Sequence, residues 1–99
     1  MKVILGKASA NSNNEKYPKG EIHALLMFVK TDSKDKAQQI AKVKTQNKGW
    51  NKLKLSRIGA VNIENFKPDD EEIKVAFDSA MQSGYGLLVY PDVENDMIM

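Results

Sequence analysis

The sequence predicts an α+β fold, in which one mostly antiparallel sheet packs against helices. Several short stretches alternate apolar and polar residues or are apolar throughout, and turn-forming residues bound them, as is typical of strands. Two longer stretches place apolar residues at i, i+3 and i+4 behind capping residues, which indicates helices. The 99 residues are the size of one domain. No repeat, linker or low-complexity tract divides them, so residues 1–99 are predicted to form a single α+β domain.

The first third of the chain predicts two strands joined by a long loop. Residues 2–5 predict a short strand, with apolar residues at 3–5, and residues 8–20 are polar and rich in turn formers. A loop of that length is unusual in a compact domain and is often functional. Residues 22–29 are apolar on both alternating sets, which is typical of a strand in the middle of a sheet. We therefore expect this second strand to be central.

A helix is predicted to follow, beginning at one of the possible N-caps in residues 31–33 and running to about residue 48. Gly49 is suited to the left-handed residue that ends a helix, and Trp50 would pack back on the last turn. The predicted inner face consists of Ala37, Ile40, Ala41 and the stem of Lys44.

The middle of the chain alternates apolar and polar residues around a glycine. Leu53 and Leu55 predict one short strand, and Val61 and Ile63 continue the pattern beyond Gly59. The pattern favours a tight turn or bulge at residues 58–60 between two strands, although one bent strand is also compatible with it.

A second helix is predicted after Pro68, with Asp69 as its N-cap and Glu72 completing a capping box. Gly84 would end it, and residues 86–90 predict a last strand that stops at Pro91. Its buried face should comprise Ile73, Ala76, Phe77, Ala80 and Met81.

This order of elements, apart from the first strand, matches the doubled β-α-β unit of ferredoxin-like folds. The expected architecture is a two-layer sandwich, with a sheet of four to five strands and both helices on one face. In that arrangement Leu26 and Phe28 should lie in the core against residues of both helices, which are Ile40, Phe77 and Ala80.

Composition excludes several classes of protein. The chain has no cysteine, so it cannot form disulfides or thiolate metal sites. The N-terminus lacks the apolar stretch of about 7–15 residues found in signal peptides. The longest apolar run, residues 24–29, is far shorter than the roughly 20 residues that a membrane span requires. A cytoplasmic protein with no membrane segment is the expectation.

The sequence contains no constellation that specifies an enzyme. His23 is the only histidine and lies two residues after Glu21, so the two could form an acid–base pair on one side of a strand. A histidine packed under the long loop explains the same residues. No glycine-rich phosphate loop is present. The acidic pairs at residues 69–72 are explained by helix capping, so we expect no catalytic residue, metal or cofactor.

Charge is distributed unevenly along the chain. Residues 30–57 contain nine basic and two acidic residues, whereas residues 64–99 contain nine acidic and two basic ones. These segments carry net charges of +7 and −7, which a total of only +2 conceals. Two solvated helix faces whose charges meet across the sheet would explain the pattern, but it also predicts two binding surfaces.

The first predicted surface is acidic and would bind a basic protein partner. It combines exposed residues of the second helix with the acidic C-terminal tail, residues 92–99, while Asp69 is set aside as the cap. The predicted binding residues are Asp70, Glu71, Asp78, Asp92, Glu94 and Asp96.

The alternative surface is basic and would follow a nucleic-acid backbone, with Trp50 and Tyr17 available for stacking on bases. No motif of an RNA-recognition sheet accompanies it. Its predicted residues are Lys34, Lys42, Lys44, Lys48 and Lys52, within the basic stretch 34–57.

About half of the chain resembles a class of small bacterial proteins. The segments that carry the resemblance are Gly49-Trp50, residues 57–61 (Arg-Ile-Gly-Ala-Val) and residues 80–91 (Ala-Met-Gln-Ser-Gly-Tyr-Gly-Leu-Leu-Val-Tyr-Pro). They are similar in general character to the immunity proteins of contact-dependent growth inhibition and related polymorphic toxin systems. The resemblance implies a non-catalytic inhibitor that binds and neutralises one cognate toxin domain.

Overall fold

Four strands form a single antiparallel sheet, and two helices pack on it. The computed structural model describes residues 1–94, and the α+β prediction is confirmed in them. Asp96 lies outside the described residues. The elements are β1 (Lys2–Ala10), β2 (Ile22–Val29), α1 (Lys34–Asn47), β3 (Trp50–Ala60), α2 (Glu71–Ser83) and β4 (Tyr85–Val93). The strand order in the sheet is β3-β1-β2-β4.

The middle of the chain forms one strand where two were favoured. β3 runs through residues 58–60, and Gly59 pairs with Val3 inside the ladder. The β1–β3 ladder is regular through residues 57–60, and its register shifts lie earlier in β3, between Leu55 and Arg57 and between Asn51 and Lys54, so the single strand is the correct alternative. Val61 and Ile63 follow the strand and pack on the α2 core. The element order is therefore β-β-α-β-α-β.

The two helices cover opposite faces of the sheet, so the prediction that both lie on one face is wrong. Successive side chains of a strand point to opposite faces. Along β2, Leu25 and Met27 pack in a cluster with Ala41 of α1, whereas Phe28 packs in a second cluster with Ala80 of α2. A central strand that is apolar on both sides requires cover on both sides, and the result is three layers, α1, sheet and α2.

The core contacts follow from this separation. Phe28 lies against Phe77, with ring centroids 5.6 Å apart and planes at 88°, and Ala80 belongs to the same cluster. That part of the predicted core is confirmed. Ile40 packs on the α1 cluster, on the other side of the sheet, so its predicted contact with Leu26 and Phe28 is wrong.

Side-chain caps begin both helices. Ser33 caps α1 through the amide of Lys36. Asp70, and not Asp69 as predicted, caps α2, because its carboxylate accepts hydrogen bonds from the amides of Glu72 and Ile73. The helix begins one residue later than predicted.

The loop between β1 and β2 is shorter than predicted, since β1 continues to Ala10. Hydrogen bonds of Asn14 hold the loop in place. Asn14 accepts hydrogen bonds from the amides of Lys16 and Tyr17 at 3.0 and 2.8 Å, and it donates to the Gly49 carbonyl at 3.1 Å. The loop is therefore fixed to the end of α1. Neither helix in residues 1–94 is long and apolar enough to cross a membrane.

Candidate functional site

The lone histidine is enclosed under the β1–β2 loop. His23 is fully buried, its Nδ1 lies 2.8 Å from the Tyr90 carbonyl oxygen, and its Nε2 lies 3.0 Å from Oε1 of Glu21. A carbonyl oxygen only accepts, so Nδ1 donates to it. Both ring nitrogens are engaged and the ring has no contact with solvent. In this arrangement His23 joins β2, β4 and the loop and presents no free nitrogen to a substrate.

The two aromatic residues considered for stacking belong to the same cluster. The Tyr17 ring centroid lies 4.1 Å from that of His23, and the Trp50 centroid lies 5.6 Å from it. Trp50 is only 3% exposed. These rings pack against each other, so they do not form a platform for nucleotide bases. Nowhere in residues 1–94 do three or more histidine or acidic side chains gather as metal ligands would.

The structure divides the predicted acidic surface. Glu71 and Asp78 are exposed on α2 and lie seven residues apart, which places them on the same side of the helix. Asp70 is exposed, but its carboxylate is engaged as the α2 cap. Asp92 is exposed on β4, whereas Glu94 forms an ion pair with Lys7 at 3.4 Å. Glu71 and Asp78 are thus the acidic pair best placed for a partner.

The predicted basic surface lies on the α1 side and divides between the two flanks of that helix. Lys42 and Lys52 border a groove of about 390 Å³ between α1 and β3. Lys44 and Lys48 border a groove of about 490 Å³ beside β4. Lys34 is exposed at the start of α1.

The sheet separates the charges of the two helices. α1 carries four basic residues and one acidic residue, whereas α2 carries three acidic residues and one basic residue. The ion pairs found in residues 1–94 join other groups, namely the Met1 amino group with Asp32 and Lys7 with Glu94. Within that range the lysines of α1 and the carboxylates of α2 do not neutralise each other.

A feature that the sequence did not reveal lies along β4, which is an edge strand. The groove beside Lys44 and Lys48 continues past Ser79 and Leu87 to a second groove of about 260 Å³ on the α2 side. The second groove includes Val75, which is 58% exposed. The sequence does not predict this pair of grooves, because β4 is an edge strand only through the order of the strands in the sheet.

Comparison with family models, curated proteins and solved structures finds no match to the chain.

Proposed function

We propose that the chain is a non-catalytic protein that binds a protein partner, specifically an immunity protein that neutralises a cognate bacterial toxin domain. The observation that supports this proposal is the charge separation between the helices. Exposed lysines on α1 and exposed carboxylates on α2 lie on opposite sides of the sheet. Surface charges of this kind steer association and reject partners of the wrong charge.

The environment of the aromatic residues favours a protein over a nucleic acid as the partner. Sequence-tolerant binding to single strands combines a basic groove with aromatic side chains on which bases stack. Here Trp50 is buried, and Tyr17 packs on His23. The lysines of α1 therefore lack the stacking partners that the alternative function requires.

Growth rescue and direct binding test the proposal. The product of the neighbouring gene is expressed in a bacterial host, with and without this chain, and one-to-one binding of the purified proteins is measured by calorimetry. We expect rescue and a stoichiometric complex. Absence of both would overturn the proposal. A mobility shift with mixed RNA or DNA at about 50 mM salt, steeply weakened at higher salt, would assign the chain to nucleic acid.

Two charge-reversal variants compare the helices. Glu71→Lys with Asp78→Lys changes the acidic side of α2, and Lys34→Glu with Lys42→Glu changes the basic side of α1. Because rim charges act mainly on the association rate, we expect the α2 variant to associate about tenfold more slowly at low salt. The α1 variant should keep the wild-type rate. The opposite result would place the interface on the β3 flank of α1, where Lys42 lies beside Lys52.

A further inference from the structure

The two edges of the sheet differ in how they are protected against pairing with another strand. The β3 edge carries Lys52, Lys54 and Arg57, Lys52 has a positive φ of 57°, and the β1–β3 register shifts twice. Charges and bulges are the usual means of blocking an edge. β4 is interrupted only in its second half, by Pro91 and by a register shift beyond Val89. Its first half, residues 85–89, has neither charge, proline nor bulge.

The backbone of this half presents unused hydrogen-bonding groups. The Lys30 amide donates to the Gly84 carbonyl at 2.9 Å. This bond identifies which residue pairs of the antiparallel β2–β4 ladder are hydrogen-bonded. Residues then alternate between facing β2 and facing away from it. Gly86 and Leu88 face β2, so the N–H and C=O groups of Leu87 and Val89 point outward. Among residues 1–94, no backbone hydrogen bond from outside the sheet reaches either of them.

Two grooves of different character flank this edge. On the α1 side, Lys44 and Lys48 lie beside Leu87. On the α2 side, Val75 lies beside Leu88, with Glu71 and Glu72 at the end of the groove. The side chains of an added strand would alternate between the two grooves. One set would meet ammonium groups, and the other would meet an apolar surface that ends in carboxylates.

We propose that residues 85–89 of β4 pair with an extended segment of the partner protein, which adds a fifth strand to the sheet. The segment carries acidic side chains toward Lys44 and Lys48 and apolar side chains toward Val75 and Leu88. This inference rests on the proposed function, because it assumes a protein partner. Main-chain hydrogen bonds supply affinity in such pairing, and the alternate side chains supply specificity.

Charge selects this occupant over a second copy of the chain. Two β4 strands paired antiparallel in one continuous sheet are related by an axis perpendicular to it, so both α1 helices would lie on the same side. Lys44 and Lys48 would then approach the same lysines of the other copy. An acidic segment replaces that repulsion with attraction.

A synthetic peptide of four Glu-Val repeats with capped ends serves as the probe, and a Lys-Val peptide of the same length is the matched control. Binding is followed by NMR, and the exchange of backbone amides is measured with and without peptide. We expect the amides of Leu87 and Val89 to exchange at least tenfold more slowly with the Glu-Val peptide. The double variant Lys44→Glu with Lys48→Glu should abolish this protection. Equal protection by both peptides, or none by either, would overturn the proposal.

Backbone pairing is tested separately from charge. Val89→Pro removes an amide that points outward and leaves the hydrogen bonds to β2 in place. We expect this variant to bind the peptide at least tenfold more weakly. The control Val89→Thr should bind the peptide normally. If Val89→Pro does not fold, a Glu-Val peptide methylated on alternate amides makes the same test on wild-type protein, and undiminished binding would refute edge pairing. If the amides of Leu87 and Val89 exchange more slowly at higher protein concentration without peptide, the β4 edge pairs with a second copy of the chain instead.

The two proposals fail in different ways. A toxin domain that binds Val89→Pro as tightly as wild type, with rescue intact, would remove the edge proposal and retain the proposed function. Absence of rescue and toxin binding in the wild type would remove the proposed function, whatever the peptide result.

Discussion

The two faces of the sheet are packed by different means. On the α1 face, the helix approaches through the small residues Ala37 and Ala41, and the strands supply larger side chains such as Leu25 and Met27. On the α2 face, three aromatic rings and one close backbone approach dominate. Stability on the α2 face therefore depends on a few positions, whereas on the α1 face it is spread over many.

The largest expected effect comes from Phe77→Ala on α2. The Phe77 ring lies 4.9 Å from that of Phe66 and 5.6 Å from that of Phe28, so truncation empties the centre of the aromatic group. We expect the free energy of unfolding to fall by about 3–5 kcal/mol. Urea denaturation measures the change, and Val75→Ala on the exposed side of the helix, expected within about 0.5 kcal/mol, is the control. A loss below about 1 kcal/mol would contradict the conclusion that the stability of the α2 face depends on a few positions.

A smaller effect is expected where the α2 backbone meets β4. A Cβ atom at Gly86 would overlap the carbonyl oxygen of Ala76, and a backbone atom yields less easily than a flexible side chain. Gly86→Ala should therefore displace α2 and cost about 1–3 kcal/mol. Gly59→Ala in β3 is the matched control, because its Cβ would lie 3.6 Å from Val3 Cγ1, an ordinary contact. Equal unfolding free energies for the two variants would refute the close-approach argument.

The smallest predicted effect concerns the α1 face and has the opposite sign. The Tyr85 hydroxyl is buried without a hydrogen-bond partner in residues 1–94, and burial raises the pKa of this group. Tyr85→Phe removes the unpaired hydroxyl and should stabilise the protein by about 1 kcal/mol.

Tyr85 also predicts a dependence on pH. The pKa is higher in the folded state, so the unfolded chain releases the proton first as pH rises above the ordinary tyrosine value of about 10. The free energy of unfolding therefore keeps the full contribution of the protonated Tyr85 below that pH and falls above it. In Tyr85→Phe the free energy of unfolding should fall less over the same pH range. Denaturation curves at neutral and alkaline pH measure both effects. A variant less stable than wild type at neutral pH would show that the hydroxyl has a partner.

Local sequence signals predicted the elements well, because they act over a few residues. The period of residues 22–29, the helix-ending Gly84 and the apolar stripe of α2 each determine one element. Connections were less predictable, since the pattern at residues 58–60 is compatible both with a turn or bulge between two strands and with one strand. The sequence does contain the signal for helices on opposite faces, because β2 is apolar on both sides and helices on one face cannot cover both.

The candidate site was less predictable because it depends on what lies beside each residue. Asp69 and Asp70 are both possible caps, and only backbone geometry selects Asp70. Glu94 is acidic and near the C-terminus, as predicted, yet it lies beside Lys7 from the start of the chain. The β4 edge has no local signature, since strand order is a property of the whole fold.

The position of the β1–β2 hairpin at the centre of the sheet has a consequence for synthesis on the ribosome. Chains emerge from the N-terminus, so β1, β2, α1 and β3 are available before α2 and β4. Once residues 1–60 have emerged, β1, β2 and β3 can pair and α1 can pack on Leu25 and Met27, while Phe28 on the other side still lacks its cover. Until α2 and β4 have followed, the apolar face around Phe28 stays exposed, and exposed apolar surface of this kind makes an incomplete chain prone to aggregation.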